Sequence, residues 1–224
     1  MIRCYPIPGL EHLGPLPSVT TILSETYNKG RYGKINPNTQ SGQNIQFRAD
    51  VGTAVHKLSE IYLKGGRLPE SILKSFNGEP KLLFEQLAPI IKGLNVFRGP
   101  SGKLCIEKVT YSVKLLTAGR VDLVVQSPSG ALEIWDLKTA GSKRTKEQIH
   151  GYFLQASAYA QCMSEITGLP VSRCVLLFAY VNKHRDTGEL NPYTEELSIE
   201  GPDIKKYLDE FAEYRRQFTH FQIA

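Results

Sequence analysis

Two carboxylates and an amine come close together in the middle of this chain. Asp136 and Lys138 stand two apart in the stretch Ala131 to Lys138, whose Leu, Ile and Trp content reads as a β-strand. Side chains alternate faces along a strand, so Asp136 and Lys138 point the same way and Leu137 the other. The stretch before it, Gly119 to Gln126, carries Asp122 and is joined to it by Ser127-Pro128-Ser129-Gly130, a hairpin turn signal. With Pro128 and Ser129 as the turn, Asp122 falls opposite Trp135; a three-residue loop sets it opposite Asp136. Either register keeps the two acids within one diagonal. Like charges in apolar surroundings repel and resist desolvation, a penalty that a divalent cation removes. Oxygen donors suit Mg²⁺ or Mn²⁺, and such an ion beside a lysine suits hydrolysis of a phosphate ester. The ammonium of Lys138 would position the water or offset the developing charge. The same acid-x-lysine spacing occurs at Glu79/Lys81 and Asp203/Lys205, but Pro80 removes the first from a strand and the third opens a helix. Taken alone, the central triplet also reads as a salt bridge on a solvated sheet face.

The elements that must carry these residues follow from periodicity. Ser18 caps a short helix starting near Val19. Asn28 to Asn44 is polar, rich in Asn, Gly and Gln, and reads as a loop that could act as a lid. Val51, Val55, Leu58 and Tyr62 recur at helical spacing, predicting an amphipathic helix from Phe47 to Leu63 that ends at Gly65-Gly66. A second helix is predicted from about Pro80 to Phe97, with a kink at Pro89. Leu104 to Val113 reads as the first of three central strands. A helix from Lys146 to Thr167 follows the hairpin, then the apolar run Val171 to Val181, a strand covered on both faces. An edge strand, Tyr193 to Ile199, and a closing amphipathic helix, Asp203 to Phe218, complete the chain.

Composition fits this picture. The 224 residues, 41% hydrophobic and 22% charged, describe an ordinary globular chain rather than a fibrous or disordered one. No apolar run reaches the roughly 18 residues a spanning helix needs, so no membrane partner is expected. Met1 to Gly9 has no export or organelle leader pattern, which points to an intracellular, cytoplasmic protein, in a host cytoplasm if the source is viral. Cys4, Cys105, Cys162 and Cys174 form no C-x-x-C pair, arguing against an iron-sulfur cluster or disulfide framework. The net charge of +5 favours a polyanionic partner. Lys143, Arg144 and Lys146 follow Lys138 in a Gly/Ser/Thr loop and can fix phosphates without reading sequence. Lys29, Arg31, Lys34 and Arg48, interleaved with Tyr27 and Tyr32, form a second basic group whose rings could stack on unpaired bases, or a plain solvated loop. Lys205, Lys206, Arg215 and Arg216 lie on the closing helix and need no functional explanation.

The strands Gly119-Arg120-Val121-Asp122 and Glu133-Ile134-Trp135-Asp136-Leu137-Lys138-Thr139 resemble the G-x-x-D and (D/E)-x-K strands of the PD-(D/E)xK nuclease superfamily. Gly52-Thr53-Ala54-Val55-His56 is similar to the upstream G-x-x-x-H motif of its RecB-like branch, and Gln155-Ala156-Ser157-Ala158-Tyr159 to that branch's Q-x-x-x-Y motif. Within the branch, Pro17 to Leu23 is similar to the P-S-V-T element of the mitochondrial genome maintenance exonuclease family and its phage relatives. The resemblance implies an α/β fold, a restriction-endonuclease-like central mixed sheet flanked by helices, with an N-terminal helical extension. Residues 1–100 would contribute the G-x-x-x-H helix and residues 101–224 the nuclease core, in one compact domain. It implies Asp122, Asp136, His56 and the Leu137 carbonyl as metal ligands for one or two Mg or Mn ions, Lys138 as the catalytic lysine, and no iron-sulfur cluster. Gln155 and Tyr159, four apart on one helix face, would hold a phosphate, a base or Lys138; the alternative is a packed tyrosine with a hydrogen-bonded glutamine. Glu60, one turn after His56, is a further candidate. Glu107 on the preceding strand either approaches the site or is solvated. Glu133, offset by an odd number, faces away and is structural. The function implied is a metal-dependent deoxyribonuclease, an exonuclease on single-stranded DNA or ends. Alternatives are a vestigial DNA-binding accessory of recombination or packaging, a structure-specific endonuclease, and another metal hydrolase with a small substrate.

Overall fold

In the computed structural model, residues 2–29, 36, 38–74, 78–184 and 186–218 are described. Five strands form one sheet in the order β3-β4-β5-β6-β7: β3 (Ile106–Ser112), β4 (Thr117–Gln126), β5 (Leu132–Ala140), β6 (Val171–Lys183) and β7 (Leu190–Glu200). Only β5 and β6 run parallel; the other neighbours are antiparallel, so the sheet is mixed. The parallel pair needs a crossover, supplied by α5 (Lys146–Thr167), which opens on a Thr145/Gln148 capping box and closes at Gly168 with φ +71°.

Alternation along the strands feeds two cores. Leu132 and Ile134 of β5 pack with Leu154, Ala158 and Met163 of α5, with Val19 and Ile22 of α1 (Val19–Glu25) and with Phe211 of α6 (Pro202–Gln217). Trp135 and Leu137, on the opposite face, pack with Val51, Val55 and Leu58 of α2 (Gln40–Leu63) and with Leu83, Leu87 and Ile91 of α4 (Glu79–Lys92). Val175 and Leu177 of β6 join the second core while Cys174 joins the first, which is why that strand is apolar throughout.

Several boundaries differ from those expected. Helix α2 begins at Gln40 under a Thr39 cap, so residues 40–44 are helical rather than part of the polar loop. Its first turns are polar and give no apolar stripe to read. Helix α4 ends at Lys92, and Pro89 lies inside it. Beyond it, Phe97 donates its N–H to Val124 O, so this segment lies along the sheet. A short ladder joins β1 (Cys4–Tyr5) to β2 (Leu16–Pro17), and α3 (Glu70–Lys74) is a single short helix; the sequence pattern marks none of these. Among the described residues no helix is long and apolar enough to cross a membrane.

Candidate active site

The hairpin takes the three-residue loop. Ser127 N–H donates to Ala131 O, Gly130 adopts φ +86°, and Leu123 pairs with Trp135, so one rung further Asp122 stands opposite Asp136. At that rung the ladder opens: the Leu137 N–H donates to Asp122 Oδ2 at 2.8 Å. The neighbouring strand is also distorted there. Glu107 has φ +49°, a left-handed backbone that a non-glycine residue rarely adopts within a strand. Face alternation switches at the same level: Val121 packs with the α5 core but Leu123 with the α2 core. The switch turns Glu107 and Asp122 together toward α2.

From α2, His56 reaches into this opening. Its Nδ1 lies 3.2 Å from Glu107 Oε1 and 3.5 Å from Asp122 Oδ1, and its Nε2 lies 3.0 Å from Leu137 O. The helix can come this close because Gly52, one turn earlier, has no side chain: a Cβ there would sit 3.1 Å from Thr139 Oγ1. Donor atoms of His56, Glu107 and Asp122 all fall within 4.8 Å of one another. One nitrogen and two carboxylates around a gap of this size are a donor set that fits Mg²⁺ or Mn²⁺. Asp136 stands apart from that triplet. Its Oδ2 is 2.6 Å from Lys138 Nζ in a buried ion pair that lacks good hydrogen-bond alignment, and Gln155 Nε2 donates to its Oδ1 at 3.2 Å.

The electrostatics follow from burial and crowding. Burial pushes the Asp136 carboxyl up to about 6, against the pull of Lys138 and with the help of Asp122. Asp122 is buried as well, but His56, Lys138 and the Leu137 N–H outweigh that and hold it below the usual carboxylate range. Burial works against a charged His56, yet Asp122 and Glu107 overcome it and raise the imidazole well above its ordinary value. Lys138 is likewise raised, because Asp136 and Asp122 outweigh its desolvation, so it is an ammonium at neutral pH. In this form an imidazolium and an ammonium neutralise the acids, the charge a bound cation would otherwise supply.

The remaining expected residues fall around this centre. Two clefts, of about 470 and 540 Å³, meet at His56. The first is lined by Glu60, Lys57 and Arg120; the second by Arg48, Lys138, Ser142 and Arg144. Glu60 lies on the rim and is held by Lys57 at 2.9 Å and Lys64 at 2.6 Å. Arg48 donates to Glu79 at 2.6 Å, while the Arg144 Nε is buried without a partner. Lys143 is not aimed at the centre: its ammonium pairs with Glu195 at 2.6 Å. Lys146 is exposed at the start of α5. Tyr159 is 3% exposed and packs on Gly119, where a Cβ would lie 2.6 Å from its ring, so it is a core residue out of reach of DNA. Tyr27 is buried too, its hydroxyl donating to Glu147 O and its ring stacked on His150, so it offers no platform for a base. Arg31, Tyr32 and Lys34 lie outside the described residues. Glu133 accepts from Trp135 Nε1 at 2.9 Å, a structural contact. Two residues at the site escape the sequence reading. Arg120 lies 3.6 Å from Glu107 Oε2, and Tyr152 places its ring 4.9 Å from Lys138 Nζ. Arg120 has one signal, its place inside the G-x-x-D strand; Tyr152 has its three-residue spacing from Gln155 on α5.

The sequence model of the PD-(D/E)XK nuclease superfamily matches residues 30–222, and the chain belongs to that superfamily. Its fold, the mixed sheet flanked by helices, is the restriction-endonuclease-like one. The superfamily comprises phosphodiester hydrolases that act on DNA with divalent metal ions. Among solved structures, a proposed exonuclease from Eubacterium rectale is similar at 15% identity and TM-score 0.49, over 89% of this chain and 78% of its own. The structure of SSO0001 is similar at 14% identity and TM-score 0.31, over 87% and 84% respectively. No curated protein matches the sequence.

Proposed function

We propose that this chain is a Mg²⁺- or Mn²⁺-dependent exonuclease that hydrolyses phosphodiester bonds of single-stranded DNA or of DNA ends, in the RecB-like branch of its superfamily. The observation that carries the reading is the convergence of His56, Glu107 and Asp122 donors within 4.8 Å, one rung from the buried Asp136–Lys138 pair. His56, Glu107, Asp122 and the Leu137 carbonyl hold the ion, with Asp136 at its edge. A divalent cation there polarises the phosphate and makes a water more acidic. Lys138 enters the reaction already protonated, so it stabilises charge developing on the phosphate oxygens and orients the water by donating to it; it is not the base. Asp136 fixes the ammonium, and Gln155 fixes Asp136. Basic groups in both clefts, Lys57 and Arg120 on one side of His56 and Arg48 and Arg144 on the other, let one strand pass over the centre with phosphates held before and after the cut. Lys146 extends that contact. The G-x-x-x-H and Q-x-x-x-Y residues support the branch, and with it a place in DNA repair or recombination.

The test is incubation of the purified chain with end-labelled single-stranded, duplex and circular DNA, with and without Mg²⁺ or Mn²⁺. The reading expects metal-dependent shortening of linear DNA from its ends and intact circles. Nicked or linearised circles would make it an endonuclease, and no cleavage with either metal would reject nuclease activity.

A further inference from the structure

A third cavity, of about 250 Å³, opens between α1 and the first turns of α5. It shares two walls with the catalytic centre. Tyr152 is one of them, its ring 4.9 Å from Lys138 Nζ; Gln155 is the other, its amide on Asp136. Leu23, Thr20 and Asn28 face them from the α1 side. The cavity's chemistry is unlike that of the two basic clefts. Among its lining residues the one charged group is Glu147, an acid, so a phosphate would find no counter-charge. An aromatic ring, a leucine and the amides of Asn28, Gln148 and Gln155 instead suit a flat, neutral ring with polar edges. Drug-sized ligands occupy roughly 300–1,000 Å³, so this smaller space suits a single planar ring system.

We propose that this cavity receives one unpaired nucleobase, the one flanking the phosphate to be cut. The assignment rests on the nuclease reading of the adjoining centre. A base stacked and paired in a duplex cannot enter without being extruded, so the pocket makes cutting depend on an unpaired nucleotide next to the scissile bond. Stacking contacts of this kind tolerate any base, which leaves the enzyme without sequence preference.

The experiment compares single-stranded oligonucleotides that differ by one abasic residue, moved stepwise along the strand. For the wild-type protein with Mg²⁺, an abasic residue beside the cut should raise KM roughly tenfold, the effect of losing one base stack. Thr20→Tyr, which fills the mouth from an exposed position on α1, should raise KM on the intact strand by a similar factor and leave the abasic strand unchanged. Equal kinetics for intact and abasic strands at every position would overturn the pocket while leaving the nuclease intact. Absence of any cleavage would overturn the nuclease reading instead. The pocket is then still tested by 2-aminopurine fluorescence of an oligonucleotide bound in EDTA. Quenching that Thr20→Tyr abolishes supports the pocket; emission identical in the two proteins rejects it.

Discussion

Gly119 and Tyr159 belong to two motifs forty residues apart, yet they are one packing unit. A Cβ on Gly119 would lie 2.6 Å from Tyr159 Cε1, 3.0 Å from its hydroxyl and 3.2 Å from Cζ. The tyrosine is 3% exposed within the α5 core and has no free space to retreat into. Gly119→Ala therefore overpacks that core, at a cost of about 1–3 kcal/mol. The smaller gain from a less flexible unfolded chain, about 0.4–1 kcal/mol, does not cancel it. For a protein of this size the midpoint of thermal unfolding should drop by roughly 2–10 °C. The partner variant Tyr159→Leu removes all three clashing atoms. Urea denaturation of the wild type, both single variants and the double variant in EDTA then gives a coupling energy of about 1–3 kcal/mol, with Gly119→Ala nearly neutral when combined with Tyr159→Leu. Equal costs of Gly119→Ala in both backgrounds would refute the contact as the reason for glycine here. Because Gly119 is three residues before Asp122 on β4, the single variant should also lose cleavage activity.

Lys138→Ala should lower cleavage by at least about 100-fold while DNA binding, measured by fluorescence anisotropy, persists; full activity would remove Lys138 from the mechanism. Glu107→Gly and Glu107→Ala should both weaken metal binding, but the glycine variant should be more stable than the alanine by about 1 kcal/mol, since only glycine is unstrained at φ +49°. Matching unfolding curves would show that the kink stores no strain. For Asp136 the folded carboxyl is raised above its unfolded value, so the native metal-free protein binds the extra proton. Its stability contribution is present at low pH and lost as pH rises through about 6. Asp136→Asn should thus gain on the order of 2 kcal/mol relative to wild type between pH 4 and pH 8 in EDTA, read by urea unfolding. A difference independent of pH would contradict the burial argument.

Much of this site can be read from residue types and spacing. The hairpin, the helix that presents His56 and the helix that presents Gln155 all follow from period and turn chemistry. The register does not, because Pro128-Ser129-Gly130 permits two loop lengths; the Ser127 to Ala131 hydrogen bond decides it. The role of Glu107 is also hidden. Strand alternation assumes extended backbone, and a left-handed residue in mid-strand reverses the face of everything after it without any mark in composition. Lys143 illustrates a third limit: its partner Glu195 lies 52 residues away on β7, a pairing set by sheet order. Tyr159, expected as a DNA contact, is a core residue, since four-residue spacing gives a shared face but not its depth.

The central claim is that three side chains from α2, β3 and β4 form one cation site. A Mn²⁺ titration followed by loss of the free-ion EPR signal measures it without any DNA. The account predicts saturable uptake by the wild-type chain and at least tenfold weaker uptake by Asp122→Asn; equal uptake by the two proteins would contradict it.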